Sequence, residues 1–275
     1  MIMPYSLRLL LVLAMGLILN QAYAAGDEIF MGSVAMDVPV DMVQRLTPLT
    51  QYLSVSTGLK VSFRASNNMD SAASDLGNNL TQIAYLTPVA YLDAHDKYGV
   101  MALVAPLVHG QATFRLVVVT RKDGPFKTMR DLRGHTFAFG DEKALLQRAV
   151  IMSGGIKLNE FSRLAYLKYY DNIAKAVLNK DFDAGILKDS ISAEYQGRGL
   201  RVIYSSPPLP SYLFAVSSRL PQATVNKLRD ALLALKADTT EHRAILSKLD
   251  EGYDGFAKVN DKDYDVVRQL ISPFR

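Results

Sequence analysis

The feature that most constrains this chain is an alternation of short apolar runs with helical hydrophobic patterns, repeated from residue 28 almost to the C-terminus. That order predicts an α/β architecture with mainly parallel sheets, because each strand–helix–strand unit lays its helix back across a sheet face. Glu28 to Ser33 reads as a first strand. Asp41 to Ser56 then places Met42, Leu46, Leu49 and Leu53 on one helical face, with Pro48 expected to bend that helix or mark its start. Gly58 ends it, and Leu59 to Phe63 and Gln82 to Leu86 follow as strands. Pro88 opens a helix through Ala94.

A longer β run, Phe114 to Thr120, precedes turn residues Lys122-Asp123-Gly124-Pro125. The same grammar then repeats. Thr136 to Phe139 is a strand, followed by Gly140-Asp141 and a helix closing at Gly154-Gly155, with Asp141 expected to cap its N-terminus. Leu164 to Lys168 is a strand, Asp171 the expected cap of a helix through Asn179, and Phe182 to Leu187 another strand. Arg201 to Tyr204, the loop 205–210 and Tyr212 to Ser217 lead into helical segments at 222–236, 241–249 and 264–271.

The breaks near 119 and 210 predict a discontinuous domain. Residues 25–119 plus 211–275 form lobe one, and residues 120–210 form lobe two. Two α/β lobes joined by two hinge strands leave a cleft, and ligands of such sheets bind at the carboxyl ends of the strands.

The N-terminus reads as a secretory signal. Arg8 is followed by an apolar run from Leu9 to Leu19, too short to span a bilayer, and then by Ala22-Tyr23-Ala24, so cleavage is expected after Ala24. The chain has no cysteine, which excludes a lipoprotein anchor, disulfides and thiol nucleophiles. Removing residues 1–24 takes away only Arg8 among charged residues, so the formal charge falls from +4 to +3. The remaining Lys and Arg residues are scattered, and nucleic acid is not an expected partner. His95, His109, His135 and His242 make no metal-ligand spacing, and no phosphate- or dinucleotide-binding fingerprint is present, so no metal and no cofactor are expected.

Three stretches carry a family resemblance. Asp131-Leu132-Arg133-Gly134-His135-Thr136-Phe137-Ala138-Phe139-Gly140-Asp141 resembles a pattern D-L-[KR]-G-K-x-[FV]-A-F-x-[DS]. Upstream, Leu86-Thr87-Pro88-Val89-Ala90-Tyr91 resembles G-P-x-x-Y. Downstream, residues 176–185, ending Phe182-Asp183-Ala184-Gly185, resemble A-V-x-x-G-x-V-D-A-G. In this order and spacing, residues 28–236 resemble the PhnD-like periplasmic binding proteins of phosphate, phosphite and phosphonate ABC transporters. The resemblance implies the type II periplasmic-binding-protein fold, a small-molecule ligand and a membrane permease as partner.

The departures fall on the ligand site that the resemblance implies. The family turn D-P-x-S-T-S-G holds an anionic head group with hydroxyls and helix N-terminal N–H groups. Here it reads Asp141-Glu142-Lys143-Ala144-Leu145-Leu146-Gln147, without the hydroxyls, and the family segment S-H-D reads Tyr169-Tyr170-Asp171. Losing several hydrogen bonds to a charged group, each worth about 1.5–3 kcal/mol, predicts much weaker phosphonate binding.

The candidate ligand-binding residues are Asp37, Thr87, Tyr91, Asp141, Lys143, Tyr170, Asp171 and Lys188, all at or just after predicted strand ends. Tyr85 and Asp183 are positional candidates beside them. No nucleophile–base pair is visible, so an enzyme is not expected. The expected protein is a periplasmic monomer that captures a small, possibly anionic solute for an ABC-type transporter. The alternative is the same fold docking on a membrane sensor kinase or cyclase.

Overall fold

The computed structural model describes residues 28–34, 39–65, 69–142 and 144–274. The signal segment 1–24, Asp37 and Lys143 lie outside the described residues.

Two mixed sheets organise the chain. The first has the strand order β13-β4-β12-β3-β1-β2, built from β1 (Ile29–Ser33), β2 (Val61–Phe63), β3 (Ile83–Leu86), β4 (Met101–Val108), β12 (Leu213–Val216) and β13 (Tyr253–Lys258). The second has the order β10-β6-β9-β7-β8, from β6 (Leu116–Arg121), β7 (Thr136–Phe139), β8 (Arg163–Tyr166), β9 (Ala184–Lys188) and β10 (Leu200–Ser205). β1 pairs parallel with β2 and β3, and β7 pairs parallel with β8 and β9. The remaining pairings are antiparallel, so the sheets are mixed rather than mainly parallel. The chain enters and leaves each sheet through a hinge, and the strands beside the hinge must run back against the parallel core.

Between the sheets, β5 (Thr113–Phe114) and β11 (Leu209–Pro210) form a two-stranded antiparallel ribbon. Ser206 locks the two crossings together: its N–H donates to the Leu116 carbonyl and its Oγ accepts the Leu116 N–H. β6 pairs entirely within the second sheet, which places the outward crossing a few residues ahead of 119.

In the first lobe, α1 (Pro39–Thr57) runs unbroken through Pro48, where a bend or a start was expected. Its Leu46, Leu49 and Leu53 are all fully buried. Burying such a side chain is worth about 1.5–3 kcal/mol, enough together to offset one missing helix hydrogen bond. The helix α2 (Met69–Gly77) and the strands β4 and β13 carry no clear periodic signal and were not expected. α3 (Pro88–Tyr98) starts on Thr87, whose side chain accepts the Ala90 N–H at 3.1 Å, and stops at Gly99 in the left-handed region (φ 68°).

The second lobe carries α4 (Leu145–Ser153), α5 (Tyr170–Leu178) and α6 (Asp189–Gln196). Gly185 lets α5 lie directly on β9, since a Cβ there would come 2.3 Å from Ile173 Cγ2. The tail returns to the first lobe as α7 (Gln222–Ala234), α8 (Thr240–Leu249) and β13. It ends in α9 (Asp265–Ile271), which packs on α4 of the second lobe. One apolar core consequently runs through both lobes, from Leu86 and Tyr91 to Leu146, Val150, Val267 and Ile271.

Candidate functional site

In each sheet the central parallel strand has one neighbour that follows it directly and one that comes later in the chain. β1 lies between β2 and β3, and β7 lies between β8 and β9. The carboxyl ends beside that reversal are where open α/β sheets bind ligands. In lobe one they are Ser33-Val34 and Thr87. In lobe two they are Gly140-Asp141 and Lys188, with Tyr170 at the start of the adjoining helix.

Four tyrosines run from one lobe into the other. Tyr85 on β3 shares a hydrogen bond between hydroxyls with Tyr253 on β13. The ring of Tyr212, just past the hinge ribbon, lies 5.6 Å from the ring of Tyr85. Tyr212 and Tyr170 are each only partly buried and each packs on two of the hydrophobic cores. Burial pushes the Tyr170 phenol well above its usual range, and the neighbouring Tyr212 and Asp189 push it further. Burial raises the Tyr212 phenol as well. Among the described residues, nothing hydrogen-bonds the Tyr212 hydroxyl. A hydroxyl that keeps access to solvent and bonds no neighbouring side chain is a donor open to a ligand.

Gln147, buried on α4, connects the lobe-two strand ends. Its Oε1 accepts the Gly140 N–H at 2.9 Å, and its Nε2 donates to the Tyr170 hydroxyl at 3.4 Å. At the hinge side, Asp189 Oδ2 accepts the Arg115 N–H at 3.0 Å, and Arg115 reaches the Ser206 carbonyl. The Lys188 ammonium lies 5.7 Å from the Phe114 ring centroid, directly over the hinge ribbon.

The candidates read from the sequence separate on this frame. Tyr170 opens α5 and Lys188 ends β9 in lobe two, and Thr87 caps α3 at a lobe-one strand end. Asp141 is half-buried at the end of β7 but does not cap α4. Its carbonyl accepts the Ala144 N–H, and α4 begins after Ala144 without a side-chain cap. The turn is longer than a two-residue strand–helix link, which moves the helix start past the aspartate. Asp171 is likewise inside the first turn of α5 rather than its cap, and it accepts the Tyr195 hydroxyl at 3.1 Å. Tyr91 is fully buried, packs at a tilt against the Tyr264 ring and donates to Asp261, so it joins α3 to the C-terminal segment. Asp183 stands at the amino end of β9, where it holds Thr136 at the amino end of β7, on the side away from the strand ends named above. Sequence pattern alone carries no signal that picks out Gln147, Asp189 or Tyr212. Tyr212 has only its position just after the predicted boundary at 210.

Comparison with known proteins decides the family. Residues 31–264 match the family described as ABC transporter, phosphonate, periplasmic substrate-binding protein. The chain belongs to that family. Its members are periplasmic substrate-binding proteins rather than enzymes. The fold agrees with methylphosphonate-bound PhnD1 from Prochlorococcus marinus at TM-score 0.73 and 15% identity, over 90% of this chain and 98% of that one. It also agrees with an ATP-bound protein of Xanthomonas citri at TM-score 0.74 and 18% identity, over 90% and 96% of the two chains. A binding-protein component of an ABC phosphonate transporter from Pseudomonas aeruginosa gives 0.68 at 19% identity, over 88% and 85%. These are type II periplasmic binding folds, two α/β lobes joined by two hinge strands.

Proposed function

We propose that the mature protein is an exported, monomeric capture protein that closes its two lobes on one small solute and presents it to the permease of an ABC-type importer. The observation that carries this reading is the Tyr170–Tyr212 pair, two half-buried tyrosines, one opening a lobe-two helix and the other just past the hinge ribbon. Tyr170, Tyr212, Gln147, Lys188 and the first N–H groups of α4 supply the contacts, and Thr87 adds a hydroxyl from lobe one. Asp37 and Lys143 belong to the same two strand-end loops by sequence.

The ligand class follows from what lines the cleft. Phenol and amide donors bind an oxyanion group, but they neutralise less charge than a cluster of arginines. The relatives bind chemically different solutes, methylphosphonate in one and ATP in another, so the family fold does not fix the ligand. Hinge closure about two crossing segments is the movement such proteins use to bury a solute.

A thermal-shift screen of the mature protein against sulfonates, phosphonates, carboxylates, amino acids and aromatic acids tests the reading. A ligand-dependent rise in melting temperature is expected for at least one oxyanion class. No shift with any of them would contradict solute capture.

A further inference from the structure

Gln147 is buried with both ends of its amide in use. A buried glutamine costs desolvation and rotamer freedom, and is tolerated where both polar ends are bonded. Here the two bonds tie the end of β7 to the start of α5, at the corner where two lobe-two loops face the cleft. Gly140 fits this arrangement closely, since a Cβ there would lie 2.9 Å from Gln147 Nε2.

This has a consequence for the ligand. The Gly140 N–H, a buried donor at the end of β7, is already taken by Gln147. The uncharged donors left in this corner are the second hydrogen of Gln147 Nε2 and the Tyr170 O–H, with the Tyr212 O–H opposite, and the Lys188 ammonium beside them is followed directly in the chain by the Asp189 carboxylate, so a single positive charge is already partly balanced. The Asp189 carboxylate, fixed at the hinge by the Arg115 N–H at 3.0 Å, adds negative charge to the surroundings of Tyr170. Its repulsion on a doubly charged group is twice that on a singly charged one of the same size, and neutral donors offset less of it.

We infer that Gln147 is a positioning and specificity-determining residue, which fixes the Tyr170 hydroxyl and withholds the Gly140 N–H so that the cleft takes a singly charged oxyanion, such as a sulfonate, in preference to a phosphonate dianion. The inference rests on the cleft being the ligand site, as proposed above.

Calorimetric titration at about pH 9 tests it, because an alkylphosphonate, whose carbon withdraws less charge than an ester oxygen, loses its second proton well above the about pH 6 of a phosphate monoester. The probes are methanesulfonate and methylphosphonate. The proteins are the mature wild type, Gln147→Met, which keeps side-chain volume without the amide, and Gln147→Ala. The wild type is expected to prefer methanesulfonate by about tenfold or more. Both variants should bind it about 5- to 20-fold more weakly, as one or two lost hydrogen bonds imply. The sulfonate-to-phosphonate ratio should then collapse to within about threefold, because the Gly140 N–H is released.

If both affinities fall in parallel and the ratio is unchanged, Gln147 is only structural and the inference fails. A wild type that prefers methylphosphonate overturns it as well. A wild type that binds neither probe defeats the oxyanion reading of the cleft itself, a separate failure visible before any variant is made. Should the Gln147 variants not fold, Gly140→Ala displaces the amide from the other side and is read by the same ratio.

Discussion

Tyr91 donates its hydroxyl to Asp261 at 2.9 Å across 170 residues of sequence, and Arg268 closes on the same carboxylate at 2.6 Å. The contact joins α3 to the turn that launches α9. Because α9 then packs on α4, this carboxylate lies at the root of a strap running from the first lobe to the second. His95 Nε2 stands 3.6 Å from the same oxygen, and Asp96 is 3.9 Å from Arg268.

Tyr91→Phe is expected to lower stability by about 1.5–3 kcal/mol, the worth of a hydrogen bond to a charged group. Ligand affinity should stay within about twofold, because the hydroxyl serves the strap. Chemical denaturation and titration of the same preparation check both. A stable variant with lost binding would move Tyr91 back into the site.

The same carboxylate gives a pH dependence. Burial pushes Asp261 up, but Arg268, Tyr91 and His95 outweigh it and hold the carboxyl below its ordinary value. A depressed carboxyl contributes stability above its unfolded pKa, about 3.9, and loses it as pH falls through the folded value. The stability gap between wild type and Asp261→Asn should therefore be constant from about pH 7 to about pH 5 and narrow below about pH 4. A gap that persists to about pH 2.5 would contradict the assignment.

Ile271 is fully buried at the end of α9, and Ile271→Ala is expected to cost about 2–4 kcal/mol. The strap also predicts a wider spread of lobe separations. The chain has no cysteine, so Val43→Cys and Tyr166→Cys, both exposed and on different lobes, accept spin labels cleanly. A distance distribution unchanged by Ile271→Ala would remove the strap's mechanical role.

Gly185→Ala should destabilise by about 1–3 kcal/mol, because the new methyl meets Ile173 and must part α5 from β9. Thermal melting reads this directly. An unshifted melt would mean that α5 sits less tightly on its sheet.

The repeated strand–helix grammar was legible because its strands are short apolar runs set between turn residues, as at Thr136–Phe139, whose bounds the structure reproduces. β13 was not: its sequence, Tyr253-Asp254-Gly255-Phe256-Ala257-Lys258, takes a glycine and a register shift from its place on the sheet edge. Asp141 and Asp171 read as caps because aspartate after a strand usually is one, and only the turn geometry shows helices starting at Leu145 and Tyr170. Tyr91 read as a cleft residue because a tyrosine one turn into a helix can face either way. Its partner Asp261 comes from the far end of the chain, beyond the reach of local pattern. The same limit hid Tyr212, which gains meaning only when the hinge brings it between Tyr85 and Tyr170.

The central claim is that the solute is held between the lobes at Tyr170 and Tyr212. Titration calorimetry of wild type and Tyr170→Phe/Tyr212→Phe, with the solute that most raises the melting temperature, tests it most directly. The account predicts one site per chain in the wild type and an affinity at least about thirtyfold weaker in the double variant, as two lost hydrogen bonds of about 1 kcal/mol or more each require. Unchanged affinity in a double variant that melts like the wild type would contradict it.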